Sequence, residues 1–255
     1  MSARADEIVD WLRRRLNGAG ARGFVVGLSG GVDSAVVARL AQTAAPGQVV
    51  GVIMPCHSDP ADEADARLVA TEFDVPTVRV DLGAAYDRLV ADAREALAAI
   101  PPEMRRAAPA ASIDPRARVP VANIKPRLRM TTLYFIANSL EYLVAGTGNK
   151  SELTIGYFTK YGDGGVDLLP IGHLLKSEVR TVARKLGVPQ SIIDKPPSAG
   201  LWVGQTDEEE MGLTYSDLEG YLTAGPDGVA PALVMRLERM IRATEHKRSA
   251  PPMPE

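Results

Sequence analysis

The sequence predicts an α/β protein built on a doubly wound, parallel, five-stranded sheet, and three observations carry that expectation. Strand-like apolar runs near 23–28, 49–54, 76–81, 142–147 and 167–170 alternate with helical periodicities near 34–44, 61–73, 84–99, 126–140 and 173–187. Such alternation favours parallel strands with helices packed on both faces. Glycine-rich turns follow two of those strands and lead straight into helices, beyond the carboxyl ends of strands where sheets of this kind bind ligands. The 255 residues suit one domain, and no internal repeat is visible.

In chain order, the segment from Met1 to Arg15 reads as a charged amphipathic helix, with Ile8, Trp11, Leu12 and Leu16 on one face and no signal-peptide hydrophobic region. Phe24, Val25, Val26 and Leu28 suit a buried strand, and Ser34, Ala35, Val36, Val37 and Leu40 have the spacing of a helix packed on it. Residues 100–119 contain Pro101, Pro102, Pro109 and Pro115 among alanines and arginines, the composition of an exposed irregular excursion. Pro231 to Thr244 reads as a last amphipathic helix, and the tail 250–255, with three prolines, as frayed.

Composition bounds the function. Hydrophobic residues at 45% and charged residues at 24% are ordinary for a soluble globular protein, and no apolar stretch reaches the 18 or more residues of a membrane span. A single cysteine excludes an internal disulfide and points to a reducing cytoplasm. A net charge of −3 does not favour nucleic acid as the main partner. Cys56 and the three histidines are too scattered for a Cys/His metal site. Cys56 and His57 follow a strand, where neighbouring side chains diverge, so a nucleophile and base pair is not expected of them.

The most informative junction is Gly27-Leu28-Ser29-Gly30-Gly31-Val32-Asp33-Ser34. Gly30 and Gly31 let the backbone turn tightly and approach a ligand, and the helix that follows points free N–H groups and its positive dipole end at it. Ser29 and Ser34 add hydroxyl donors, whereas Asp33 would repel a bare phosphate and makes sense through Mg²⁺. A glycine turn with Asp33 as a capping carboxylate is the bland alternative. Val32 stands where a terminal-phosphate transferase loop carries lysine, and the glycines lack GxGxxG spacing.

The strand-to-loop-to-helix logic recurs at Gly146-Thr147-Gly148-Asn149-Lys150-Ser151-Glu152, where Glu152 would be either a helix-capping carboxylate or a magnesium ligand beside Asp33. Four glycines and three aromatics between Gly156 and Asp167 suit a loop that closes over a substrate. Lys176 falls in the first turn of a helix, where the dipole disfavours a cation, so an anionic partner or a snorkelling surface position would explain it.

The loop Ser29 to Ser34 reads SGGxDS and resembles the signature of the ATP pyrophosphatases, the Rossmann-like, adenine nucleotide alpha hydrolase-like fold. Together with Asn123 to Thr131, GTGNKSE, GYFTKYGDGGVDLLPIG, KPPSAGLWVGQTDEEE and His246-Lys247-Arg248, it is similar to the ammonia-dependent NAD synthetases over nearly the whole chain. The resemblance implies a ligase that converts nicotinic acid adenine dinucleotide, ATP and ammonia to NAD, AMP and pyrophosphate through an acyl-adenylate, as the final step of NAD biosynthesis. It puts ATP on Gly27, Leu28, Ser29, Gly30, Gly31, Val32, Asp33, Ser34, Thr147, Lys176 and Ser198. Magnesium falls to Asp33 and Glu152, catalysis to Asp33, Glu152 and Lys176. The deamido-dinucleotide falls to Arg127, Lys160, Asp167, His246 and Lys247, with Asp167 facing either a dinucleotide hydroxyl or the ammonium. A cytoplasmic homodimer joined through the helix from Arg127 to Leu140 is also implied, without a glutaminase unit in this chain.

Overall fold

The computed structural model describes residues 3–104, 115–200 and 205–254. The chain runs through α1 (Ala3–Ala19), β1 (Gly23–Gly27), α2 (Val32–Ala44), β2 (Val49–Ile53), α3 (Pro60–Glu72), β3 (Thr77–Arg79) and α4 (Gly83–Ala98). It continues through α5 (Pro115–Ala122), α6 (Ile124–Leu140), β4 (Tyr142–Val144), α7 (Lys150–Ile155), α8 (Lys176–Leu186) and α9 (Gln190–Asp194). The last elements are α10 (Asp207–Met211), α11 (Tyr215–Ala224) and α12 (Pro231–Ala243).

All three strand pairings are parallel, in the order β3-β2-β1-β4. The strand order reverses beside β1, so the carboxyl ends of β1 and β4 mark the switch point at which a doubly wound sheet binds ligands. Apolar residues of β1 alternate between the faces. Phe24 and Val26 pack with α1, α2, α3, α8 and α9 in one core. Val25 packs with Val52, Val144, Leu82 and Ala137 in the other, under α4 and α6. A third cluster, Ile155, Met211, Leu213, Tyr215, Leu218 and Leu237, joins α7, α10, α11 and α12.

The expected fifth strand at 167–170 is reduced to a single parallel bridge, Ala145 to Leu168, so the sheet has four strands. The reason is local. The Asp167 side chain accepts the Val144 N–H at 2.8 Å, where a longer strand would present a carbonyl, and Pro170 has no N–H to offer. The expected irregular excursion is likewise partly ordered: Pro102–Met104 makes a 3₁₀ turn and Pro115 opens the short helix α5. Residues 105–114 of that stretch lie outside the described residues, as do residues 201–204 of the KPPSAGLWVGQTDEEE run. Residues 251–254 are exposed and belong to no helix or strand.

The start of α3 forms the floor of the loop after β1. Gly30 has φ +78, and a Cβ there would lie 2.5 Å from the Asp62 carbonyl oxygen, so both the backbone angle and the space require glycine. Gly30→Ala should lower stability by about 1–3 kcal/mol in thermal or denaturant unfolding. Gly18→Ala, in α1 with no atom within 4 Å of its Cβ position, should leave stability unchanged or raise it.

Candidate functional site

Three segments meet at the carboxyl ends of β1, β4 and the residual Leu168 bridge: the loop 28–31, the loop 145–149 and the start of α8. The first ends at α2, whose N-terminus has no side-chain cap. Ser29 Oγ accepts the Gly31 N–H at 3.3 Å, and Ser34 Oγ lies 3.1 Å from Ser29 Oγ and donates to the Gly31 carbonyl at 2.9 Å. Among the described residues, the N–H groups of Gly30, Val32 and Asp33 have no hydrogen-bond partner. An uncapped helix start with free N–H groups is an anion site by its own electrostatics. Leu28 and Val32 are buried in the core, so their side chains belong to packing and only their backbone can face a ligand.

The second segment supplies Glu152 through a capping box. Asn149 Oδ1 accepts the Glu152 N–H at 3.1 Å, and Glu152 Oε2 accepts the Asn149 N–H at 3.3 Å, which starts α7. Capping uses Oε2 of Glu152, and Oε1 faces Lys176, so the capping reading of this residue is met without engaging its second oxygen. Asn149 Nδ2 donates to Asp33 Oδ1 at 3.0 Å and ties the two loops.

Lys176 is the first residue of α8, and its side chain is 4% exposed. Its ammonium donates to Asp33 Oδ2 and, at 3.2 Å, to Glu152 Oε1. The anionic partner required by its unfavourable place in the helix dipole is thus a pair of carboxylates. Although burial opposes the charge, Asp33 and Glu152 hold the Lys176 ammonium above the ordinary lysine range. Burial, only partly offset by Lys176, pushes the Glu152 carboxyl up to about 7.

Arg127, Lys160, His246 and Lys247 are brought together around the Gly156–Gly165 loop. Arg127 Nη2 donates to the Lys160 carbonyl at 3.3 Å, and the Lys160 ammonium donates to the His246 carbonyl. Lys247 Nζ donates to the carbonyls of Gly156 and Phe158 at 2.7 Å each. Lys247 therefore secures the Gly156–Gly165 loop rather than standing free on a helix end. Asp167 accepts from Tyr134 Oη at 2.9 Å as well as from Val144. Tyr134 lies two helical turns along α6 from Arg127, which places both on one face. Thr147 is half-buried beside the first loop, and Ser198 is exposed, its Oγ accepting the Gly200 N–H at 3.1 Å.

Several side chains at the site lacked a sequence signal. Tyr215 reaches Glu152 across 63 positions. Lys195 donates to Asp62 at 2.8 Å and to Asp65 at 2.5 Å, which pins the start of the 195–200 segment against α3 beside Gly30. Arg129 donates to the Met54 carbonyl at 3.3 Å and to Ser58 Oγ at 3.2 Å and fixes the turn after β2. Cys56 is fully buried, while His57 is exposed and paired with Asp87. The two do not act together.

The sequence profile of the NAD synthase family matches residues 4–251. An NH(3)-dependent NAD(+) synthetase of Carboxydothermus hydrogenoformans is 52% identical over 98% of this chain and 96% of its own. Two solved structures are similar over essentially both full lengths. The NMN synthetase of Francisella tularensis has a TM-score of 0.87 at 34% identity, covering 100% of this chain and 99% of that one. The NH3-dependent NAD synthetase of Campylobacter jejuni, solved with a nitrate ion, has a TM-score of 0.77 at 26% identity and covers 100% of both.

An acid whose folded pKa lies above its unfolded value of 4.5 stabilises the fold below that value, and the contribution is lost as pH rises through about 7. Metal-free protein should therefore lose melting temperature across that window through Glu152. Thermal melts in chelator should show a flatter pH slope for Glu152→Gln; equal slopes would assign the dependence elsewhere.

Proposed function

The chain belongs to the NAD synthase family, and from that premise we propose that the loop after β1, Asp33, Glu152 and Lys176 form the centre at which ATP activates a carboxylate for amide formation. The chain is an ammonia-dependent ligase that makes NAD, the last step of NAD biosynthesis. The observation that carries the catalytic reading is the buried cluster of Asp33, Glu152 and Lys176 beside an uncapped helix start.

The work of this reaction is alignment and charge neutralisation, because both substrates are polyanions. The free N–H groups of Gly30, Val32 and Asp33, with the hydroxyls of Ser29 and Ser34, hold the pyrophosphate part of ATP. Lys176, kept charged by its carboxylates, faces the phosphates as a fixed cation. Arg127, Lys160, His246 and Lys247, with Asp167 on the same side, hold the deamido-dinucleotide and bring its nicotinate carboxylate to the α-phosphate. The acyl-adenylate so formed is opened by ammonia, and no covalent enzyme nucleophile takes part. Thr147 and Ser198 complete the ATP contacts.

Asp33 and Glu152 converge on one cation, with oxygen donors suited to Mg²⁺, which takes one or two protein carboxylates and completes its shell with water and substrate phosphates. Among the described residues no group of three or more such ligands occurs, in keeping with a cation brought in with ATP. When bound, it supplies Lewis-acid neutralisation of the phosphates.

Assembly follows from α6. Phe135 is 74% exposed and Leu140 is exposed beside it, while Leu128, Leu133 and Ile136 are only half-buried, an apolar face suited to a second copy of the chain. No helix among the described residues is long and apolar enough to cross a membrane, and the single thiol supports a cytoplasmic site of action.

A second product, NMN, is raised by the Francisella tularensis structure, whose TM-score of 0.87 exceeds the 0.77 of the Campylobacter jejuni NAD synthetase. Competition between nicotinic acid adenine dinucleotide and its mononucleotide, read as the ratio of amidated products, ranks the two acceptors.

With Mg-ATP, ammonium and nicotinic acid adenine dinucleotide, the products should be NAD, AMP and pyrophosphate; ADP and inorganic phosphate would reject the reading. Glu152→Gln keeps the capping box, so it should fold normally yet lose about a hundredfold or more in kcat, equal to at least ~2.7 kcal/mol of transition-state stabilisation. A variant that loses only melting temperature would leave Glu152 as a cap alone. Phe135→Glu should yield a less active monomer in sedimentation velocity, whereas an unchanged dimer would place the interface elsewhere.

A further inference from the structure

Beside Glu152, two buried polar side chains belong to none of the roles above. Tyr215, the first residue of α11, is 5% exposed, and Asp207, the first residue of α10, is 4% exposed. The Tyr215 hydroxyl lies 3.2 Å from Glu152 Oε1 and 2.9 Å from Asp207 Oδ2. Asp207 Oδ1 in turn lies 3.2 Å from the Tyr157 hydroxyl, which sits 2.7 Å from Glu210 Oε2. The face of the Tyr215 ring lies 5.2 Å from the Lys176 ammonium. One aromatic residue therefore touches both the carboxylate and the cation of the candidate centre, and a third carboxylate holds it there.

We propose that Tyr215 and Asp207 are positioning residues that set the orientation of Glu152 for metal binding, an assignment that rests on Glu152 being a metal ligand. Each Glu152 oxygen is then fixed by a separate part of the chain. Oε2 is held by the Asn149 N–H at the start of α7, and Oε1 by Lys176 and by the Tyr215 hydroxyl, whose one proton is shared between Glu152 and Asp207. Pinning both oxygens removes side-chain freedom that metal binding would otherwise have to restrict, and outer-shell partners of this kind tune affinity without touching the ion. Tyr215 also belongs to the apolar cluster of α7, α10, α11 and α12. The hydroxyl is the part of the residue that packing alone does not require.

The test is binding of Mn²⁺, followed by electron paramagnetic resonance on the full chain with a non-hydrolysable ATP analogue. Tyr215→Phe keeps the ring over Lys176 and removes only the hydroxyl; it should weaken Mn²⁺ binding about tenfold. Most of its rate loss should return at excess metal, a shift in the half-saturating metal concentration rather than in kcat. Asp207→Asn, which keeps an oxygen to accept the phenolic proton, should lose less than Asp207→Ala. If Tyr215→Phe binds Mn²⁺ like the parent and differs only in melting temperature, Tyr215 is a packing residue and the proposal falls. Glu152→Gln separates the two readings. Parent-like Mn²⁺ binding in that variant overturns the metal role of Glu152 and this proposal with it, whereas weakened binding there beside parent-like binding in Tyr215→Phe overturns the positioning role alone.

Discussion

A lysine ammonium held out of water between two carboxylates is the constraint around which the centre is arranged. Lys176 is 4% exposed at the side chain, and a cation so placed is tolerable only with paired anions in good geometry. Asp33 and Glu152 come from the first turns of different helices, and each is fixed a second time by Asn149, through its side-chain amide to Asp33 and its backbone N–H to Glu152. The cluster thereby sets the distance between the loop after β1 and the loop after β4. In the proposed reaction its charges are already placed before ATP arrives, so little reorganisation is left for the chemistry itself.

That cluster exists because of strand order. β1 and β4 are far apart in sequence, yet pair directly through Gly23 to Tyr142 and Val25 to Val144, so the loops leaving their carboxyl ends are neighbours. The Leu168 bridge continues the sheet by one step and delivers the chain to Lys176 on the same edge. The close contact of Gly30 with α3 fixes the loop after β1 from below. Each loop on its own is an ordinary helix start, and the sheet turns three of them into one site.

The C-terminal part of the chain completes the surroundings. Thr244 Oγ1 lies 2.9 Å from the Ile155 carbonyl just where α7 ends at Gly156, and Lys247 holds the loop that follows at the Gly156 and Phe158 carbonyls. Burial lowers the Lys247 pKa, with Asp163 acting against that effect. The ammonium is satisfied by carbonyls and so serves the loop first. Lys247, which the resemblance gives to substrate binding, is thus in the structure a support of the Gly156–Gly165 loop.

By itself the sequence determined the parallel α/β architecture, because period-two and period-3.6 apolar patterns are local, and it placed Asp33 and Glu152 at helix starts, because glycine, serine and asparagine mark those starts chemically. It did not determine the length of the fifth strand. Asp167 reads as a strand residue until its side chain, rather than a carbonyl, is seen to accept the Val144 N–H. Nor did it show that Glu152 caps α7 through one oxygen and pairs with Lys176 through the other. The partnership of Tyr215 with Glu152, 63 positions away, and that of Lys195 with Asp62 and Asp65, more than a hundred positions away, left no mark in spacing. Only tertiary structure decided these, for a physical reason: hydrogen bonds and ion pairs act over about 3 Å in space, and only packing brings distant parts of the chain that close.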